Sequence, residues 1–204
     1  MQITLHNAGK RYNYEWVFQR LNYKFESDKC YAVLGPNGSG KSTLLQCIST
    51  YKLLNEGTLS FTSQGQSIAF TPQLISITAP YLELIEEFTL KELFHFQLSF
   101  KPFISQIDYL LFIDVIGLDR HQHKMIKLFS SGMKQRVKLA LALLSDTKVV
   151  ILDEPTSNLD QEGVEWYSRL IDTYKQNRII LIGSNDEREY GFCEERIYMQ
   201  EYKT

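Results

Sequence analysis

Residues 35–43, with the sequence GPNGSGKST, match the spacing GxxxxGK[ST] of loops that bind phosphate groups. Glycines in such a loop let successive backbone N–H groups turn toward phosphate oxygens. Lys41 would reach the β- and γ-phosphates of a nucleotide, and the Ser42 hydroxyl would bind Mg²⁺. A simple glycine turn with a capping serine explains only part of the string. The sequence predicts a nucleotide site formed by Gly35, Pro36, Asn37, Gly38, Ser39, Gly40, Lys41, Ser42 and Thr43.

Two adjacent carboxylates, Asp153 and Glu154, follow the apolar run VVIL at 149–152. In enzymes with this type of loop, a carboxylate at the end of a second strand holds Mg²⁺, and Asp153 is placed for that role. Glu154 would polarise the water that attacks the γ-phosphate or accept its proton. The alternative is that Asp153 caps a turn and Glu154 is merely solvated. Together with the loop, the pair predicts nucleotide hydrolysis.

Apolar runs alternate with helical patterns along much of the chain. Strands are predicted at 29–35, 147–153 and 178–183, each built around a continuous apolar run that is typical of a parallel sheet covered on both faces. The first 26 residues are rich in aromatic and β-branched side chains, which predicts an antiparallel β section. Residues 80–127 show helical patterns only. The predicted class is α/β with an inserted helical subdomain.

The composition narrows the possible functions. The formal net charge of -2 gives no sign of a nucleic-acid-binding surface. Three cysteines far apart in sequence, without a CxxC pair, predict neither a disulfide framework nor a zinc site and favour a reducing compartment. No apolar run approaches the ~20 residues of a membrane span.

Three motifs together resemble the nucleotide-binding subunits of ABC transporters over nearly the whole chain. GPNGSGKST resembles their Walker A, VVILDEPTSNLD their Walker B and D-loop, and LFSSGMKQRVKLALALL their signature segment. The resemblance implies a P-loop ATPase that binds ATP and Mg²⁺. It also implies one ATP-binding domain over 1–204, with a core and β section at about 1–79 and 148–204 and a helical subdomain at about 80–147.

The signature segment departs from the family's LSGGQ, but Ser130 and Gly132 occupy the places of its serine and second glycine. In the family, two subunits pair head to tail, and ATP lies between the Walker A of one and the signature of the other. The resemblance therefore implies that Ser130, Ser131 and Gly132 contact ATP across a dimer, most simply a homodimer. A plain helix cap is the other interpretation of the two serines.

Three further positions follow from the resemblance. Gln73 matches the glutamine that approaches Mg²⁺ and the attacking water, although it would equally suit a surface turn after Pro72. Tyr12 matches the aromatic that stacks on adenine, with Tyr14 and Trp16 close enough to compete. Asn185 stands where the family has a switch histidine. Asparagine offers an amide donor but no titratable proton, which predicts weaker coupling of γ-phosphate sensing to hydrolysis.

The function implied is an ATP-hydrolysing motor subunit for a separate permease, similar to the short exporter type, at the cytoplasmic face of the membrane. The permease would contact a groove near residues 74–100, although the apolar residues there also suit ordinary helix packing. Two alternatives stay open. One is a nucleotide-gated module that pairs on ATP with little hydrolysis; the other is an ABC ATPase that acts on ribosomes or DNA, which the pI of 6.1 disfavours.

Overall fold

The computed structural model describes residues 1–203, in which nine strands form two sheets. The antiparallel sheet has the strand order β2-β1-β4-β5. Its strands are β1 (Gln2–Tyr12), β2 (Glu15–Glu26), β4 (Glu56–Ser63) and β5 (Gln66–Ile68). The long β1–β2 hairpin confirms the antiparallel β section predicted for the N-terminal part.

The second sheet has the order β6-β7-β8-β3-β9, and all its neighbouring strands are parallel. Its strands are β3 (Lys29–Leu34), β6 (Ile75–Thr78), β7 (Val149–Asp153), β8 (Ile179–Gly183) and β9 (Glu195–Tyr198). The predicted strands β3, β7 and β8 are confirmed. The other two were not predicted, because β6 alternates polar and apolar residues and β9 carries two charges. Both are short edge strands of the sheet.

Six α-helices accompany the sheets within the described residues. They are α1 (Lys41–Ile48), α2 (Leu90–Leu98), α3 (Tyr109–Ile116), α4 (Ser131–Leu144), α5 (Gln161–Tyr174) and α6 (Glu187–Tyr190). Three of them, α2 to α4, lie in sequence between β6 and β7. None of the helices in residues 1–203 combines the length and apolar character that crossing a membrane requires.

The parallel sheet separates two apolar cores. Successive residues of each strand face opposite sides of the sheet, as the two-residue period of a strand requires. Ala32, Val150 and Ile180 pack with α2 to α5 on one face. Val33, Ile151 and Leu181, one position further along, pack with α1 and the antiparallel sheet on the other. The sheet is thus covered on both faces, which explains its continuously apolar strands.

The structure corrects the prediction that the three cysteines form no disulfide framework. Cys30 in β3 and Cys193 form a disulfide, with Cα atoms 4.6 Å apart and a sequence separation of 163. Their proximity follows from the pairing of β3 with β9, which begins two residues after Cys193. Because β9 was not predicted, the sequence offered no reason to bring these two cysteines together. Cys47 is free and buried.

Candidate active site

The loop between β3 and α1 has the backbone conformation of an anion-binding loop. Gly35, Gly38 and Gly40 have positive φ angles of 143°, 76° and 103°, a region that glycine adopts without steric cost. A Cβ atom at Gly35 would also lie only 2.6 Å from Oγ of Ser39. Nζ of Lys41 donates to the Gly35 carbonyl oxygen at 2.7 Å. The lysine ammonium therefore lies against the loop at the N-terminus of α1, where an anion is stabilised.

Asp153 ends β7 as a buried carboxylate with one unused oxygen. The residue is 2% exposed, and its Oδ1 has no hydrogen-bond partner within residues 1–203. Burial raises the pKa of this carboxyl group, and a hydrogen bond with the Ser42 side chain opposes the rise. An unpaired buried oxygen beside a hydroxyl group fits a hard divalent cation such as Mg²⁺. Ser42 and Asp153 thus lie together, and their binding of Mg²⁺ stays a prediction.

Gly183 in β8 makes room for this carboxylate. It pairs with Asp153 across the sheet, and a Cβ atom added to it would lie 2.8 Å from Oδ1 of Asp153. The same Cβ atom would lie 2.7 Å from a methyl group of Leu45 in α1. Any larger residue would therefore displace either the carboxylate or the helix that carries the phosphate loop.

Glu154 has different surroundings from its neighbour Asp153. It is exposed, and its φ of 47° places it in the left-handed region, which turns the chain sharply at the end of β7. Its N–H donates to the Gly183 carbonyl oxygen at 2.8 Å. Burial lowers the pKa of Lys41, and the charges of Glu154 and then Asp153 oppose that effect. Asp153 is thus buried and Glu154 is exposed to water, and the charges of both carboxylates act on the ammonium group of Lys41.

Asn185 is brought to the phosphate loop by the end of β8. Its side-chain amide donates to Oδ1 of Asn37 at 3.1 Å. The preceding residue, Ser184, donates its N–H to the carbonyl oxygen of Val33 in β3 at 3.2 Å. The segments that follow β3, β7 and β8 therefore meet at the carboxyl edge of the parallel sheet, which is where ligands bind in open sheets of this kind.

Comparison with known proteins assigns this site to a family. Residues 18–157, more than half of the chain, match the family model described as ABC transporter. The chain belongs to the ABC transporter family.

Relatives and solved structures agree with this assignment. The lantibiotic transport ATP-binding protein SrtF of Streptococcus pyogenes is 27% identical over 186 residues, which cover 90% of this chain and 80% of SrtF. The Nod factor export ATP-binding protein I of Sinorhizobium fredii is 32% identical over 167 residues, 78% of this chain and 48% of that protein. A dimeric ATP-binding cassette in a post-hydrolysis state, bound to ADP and Pi, has the same fold with a TM-score of 0.81 at 22% identity, over 96% of this chain and 93% of that one. The chain is an ABC nucleotide-binding subunit with an α/β P-loop fold.

The signature segment of this ABC subunit begins α4 and lies apart from the phosphate loop. Ser130 is the N-cap, and its side chain accepts from the Met133 N–H at 3.3 Å. Ser130, Ser131 and Gly132 line an open pocket together with residues 158–160. Within residues 1–203, no residue of the loop 35–43 lines that pocket. The two motifs thus present separate surfaces on one chain, and the contact of the signature with ATP stays a prediction.

Gln73 is not part of this site, which corrects its predicted role as a magnesium and catalytic residue. It is exposed and lies in a short 3₁₀ helix, Pro72–Leu74, that immediately precedes β6. Strand β6 runs parallel to β7, with Ile75 opposite Val149 and Thr78 opposite Leu152. Gln73 is therefore at the amino edge of the sheet, whereas Asp153 is at the carboxyl edge. The length of β6, at ~3.3 Å per residue, separates the two positions.

Tyr81 lies where Gln73 was expected, near the end of β7, and was not predicted from the sequence. The carboxyl end of β6 is followed by Ala79, Pro80 and Tyr81, so this segment, not Gln73, adjoins the end of β7. Burial raises the pKa of the Tyr81 phenol, a hydrogen bond with Gln46 opposes the rise, and the negative charge of Asp153 adds to it. Tyr81 thus lies within electrostatic reach of Asp153. The signal in the sequence was the set of three β-branched residues Ile75, Ile77 and Thr78.

Tyr12 lies at the end of the β1–β2 hairpin, and its role toward adenine stays a prediction. Its ring is partly exposed and carries two lysines, with Nζ of Lys10 at 5.5 Å and Nζ of Lys52 at 4.8 Å from the centroid. Lys52 also forms a hydrogen bond with the Tyr12 hydroxyl. Of the competing aromatics, Tyr14 is 95% exposed and Trp16 lies under the guanidinium of Arg11. Tyr12 and Trp16 thus both have cationic neighbours, whereas Tyr14 is almost fully exposed.

Proposed function

We propose that this ABC subunit hydrolyses ATP and drives conformational change in a separate membrane permease. The observation that carries the proposal is the contrast between two adjacent carboxylates at the end of β7: Asp153 is buried with an unpaired oxygen, and Glu154 is exposed. The loop 35–43 would hold the phosphates, and Ser42 and Asp153 would hold Mg²⁺. When bound, Mg²⁺ neutralises charge that develops on the phosphates.

Glu154 is the proposed general base. In the reaction, a water oxygen bonds to the γ-phosphorus, the bond from phosphorus to the bridging oxygen of ADP breaks, and a proton leaves the attacking water. The exposed carboxylate of Glu154 accepts this proton or polarises the water. Lys41 donates to the phosphate oxygens from the N-terminus of α1, in place of its present contact with the Gly35 carbonyl.

We place the second half of the site on another copy of the chain. The signature residues and the phosphate loop form separate surfaces, and the N-terminus of α4 carries partial positive charge that suits a phosphate. The solved relative with ADP and Pi is dimeric, which supports this arrangement. ATP bound between the two surfaces would hold the pair closed, and hydrolysis would release it.

The permease would contact the groove beside α2. Tyr51 and Phe100 are exposed at 75% and 60%, and Tyr51, Tyr81 and Lys101 line one pocket that opens to solvent. The names of SrtF and the Nod factor protein place them in transport and export. By analogy, we propose that this chain acts in an exporter, held at the cytoplasmic face of the membrane through the permease.

The second candidate function is a nucleotide-gated module that pairs on ATP but hydrolyses it slowly. Two observations favour it: Asn185 replaces a titratable histidine, and the end of β6 carries Tyr81 without an adjoining glutamine. Neither change affects the proposed base Glu154. The motor function therefore stays the main proposal.

The test is phosphate release by the purified chain at increasing protein concentration. Because the complete site needs two chains, we expect the rate per chain to rise with concentration and then to saturate. Lys41→Met, which removes the phosphate-binding ammonium, is the inactive control. A rate that is absent at every concentration contradicts the motor proposal for the chain alone. Repeating the assay with the multi-span membrane protein encoded nearest to this gene then tests the permease, which we expect to stimulate the rate.

A further inference from the structure

A buried hydrogen-bonded pair joins the turn after β7 to helix α6. The carboxylate oxygen Oε1 of Glu189 accepts from the N–H of Thr156 at 2.7 Å and from its hydroxyl at 2.6 Å. Glu189 is 4% exposed and Thr156 is 7% exposed. Hydrogen bonds to a carboxylate are about twice as strong as neutral ones, and burial strengthens them further. This contact is therefore a firm link between two segments that are 33 residues apart.

The two segments carry the two groups that would act on the γ-phosphate. Thr156 follows Glu154 by two residues, in the turn that begins at the left-handed Glu154. Glu189 follows Asn185 by four residues, in the short helix after β8. Whatever fixes Thr156 to Glu189 therefore fixes the position of Glu154 relative to the segment that contacts the phosphate loop.

The Glu189 side of the link is itself anchored. The hydroxyl of Tyr167, which is fully buried in α5, donates to the carbonyl oxygen of Glu189 at 3.0 Å. On the other side, Nε2 of Gln135 in α4 donates to the carbonyl oxygen of Pro155 at 2.6 Å. The turn is thus held from two directions, by the signature helix and by α6. A left-handed non-glycine residue persists only where its surroundings determine it in this way.

We propose that Glu189 is a positioning residue for ATP hydrolysis. Through Thr156 it holds the turn that presents Glu154, and it makes that turn move together with the Asn185 segment. Glu189 does not touch the nucleotide, so it affects the chemical step and leaves nucleotide binding unchanged. The inference rests on the proposed hydrolysis of ATP with Glu154 as the base.

The test compares single-turnover hydrolysis with ATP affinity for four variants. Glu189→Ala removes the acceptor, Glu189→Gln keeps an acceptor oxygen, and Thr156→Val removes one donor at nearly constant volume. Glu187→Ala, which changes an exposed residue of the same helix, is the matched control. We expect Glu189→Ala to slow hydrolysis at least ~tenfold, the scale of one lost charged hydrogen bond, with an ATP Kd within about twofold of native. Glu189→Gln should recover most of the rate, and Glu187→Ala should behave like the native chain.

Two results make the test independent of folding. Thr156→Val should slow hydrolysis severalfold, and combining it with Glu189→Ala should add nothing, because the partner is already absent. Native rates in folded Glu189→Ala, additive effects in the double variant, or parallel losses of rate and affinity overturn the inference. Glu154→Gln separates this failure from failure of the proposed function. If it abolishes hydrolysis while Glu189→Ala does not, only the positioning role is wrong; if it leaves hydrolysis intact, the proposed function fails as well.

Discussion

The side-chain amide of Asn185 donates a hydrogen bond to the side-chain oxygen of Asn37, with 3.1 Å between the nitrogen and oxygen atoms. This bond joins the segment after β8 to the phosphate loop through two uncharged groups. If Asn185 senses the γ-phosphate as proposed, it would do so without a titratable proton.

We expect Asn185→His to hydrolyse ATP faster than the native chain, by about two- to tenfold, because a ring that can carry charge stabilises the phosphate in the transition state. The variant should also gain a pH dependence near the ordinary histidine pKa of about 6.5, because the native amide at this position does not titrate. A pH series of steady-state phosphate release measures both effects, with Asn185→Gln as the non-titrating control. Unchanged or slower hydrolysis by Asn185→His contradicts the prediction.

Gly183→Ala should damage the magnesium site and the fold together. Its Cβ atom would meet Oδ1 of Asp153 at 2.8 Å and Leu45 at 2.7 Å, and overpacking of this kind costs about 1–3 kcal/mol. Chemical denaturation should show this loss in the free energy of unfolding, and titration should show weaker binding of ATP in the presence of Mg²⁺. A variant with native stability and native affinity would show that the space beside Asp153 is not needed.

Ser130→Ala should separate the two roles of the signature serine. Loss of the N-cap of α4 should lower the free energy of unfolding by about 1 kcal/mol. If Ser130 also contacts ATP across a dimer, ATP-induced pairing should weaken as well, as measured by sedimentation in the Glu154→Gln background. Asp108→Ala removes the N-cap of α3 and is the matched control. Equal pairing by the two variants would leave Ser130 with a capping role alone.

Lys101→Met should stabilise the free chain at neutral pH. Burial lowers the pKa of Lys101, and its ammonium group donates to the carbonyl oxygen of Ile75. A lysine whose pKa is lowered by folding costs stability most fully below that pKa, and the cost disappears as the pH rises toward the ordinary value of 10.5. We therefore expect a small gain in the free energy of unfolding at pH 7 that shrinks at alkaline pH, because the partly exposed ammonium is still screened by water. Denaturation at several pH values measures it, and exposed Lys91→Met should show no gain.

The sequence was sufficient for the central strands and the phosphate loop. Strands β3, β7 and β8 each contain a continuous apolar run because both faces of the sheet are covered, and GPNGSGKST has one structural meaning between a strand and a helix. The sequence was insufficient at β6, where alternation of Ile and polar residues hides a parallel edge strand. Because β6 was not recognised, the family's glutamine was matched to Gln73, which lies at the opposite edge of the sheet from Asp153.

Contacts between distant segments of the chain could not be predicted from the sequence either. The link from Thr156 to Glu189 depends on where α6 packs after β8, and a helix of four residues leaves no periodic pattern to detect. The disulfide of Cys30 and Cys193 depends in the same way on the unpredicted strand β9. Both features follow from which strands are neighbours, and local composition does not specify that.

The most direct test of the central claim is single-turnover phosphate release by the native chain and by Glu154→Gln, at a protein concentration that favours pairing. The exposed carboxylate at the end of β7 is the proposed base, so the variant should lose at least ~100-fold in rate while it binds ATP as tightly as the native chain. Hydrolysis by Glu154→Gln at the native rate would contradict the account, because Glu189, the other carboxylate whose charge acts on Asp153, is buried.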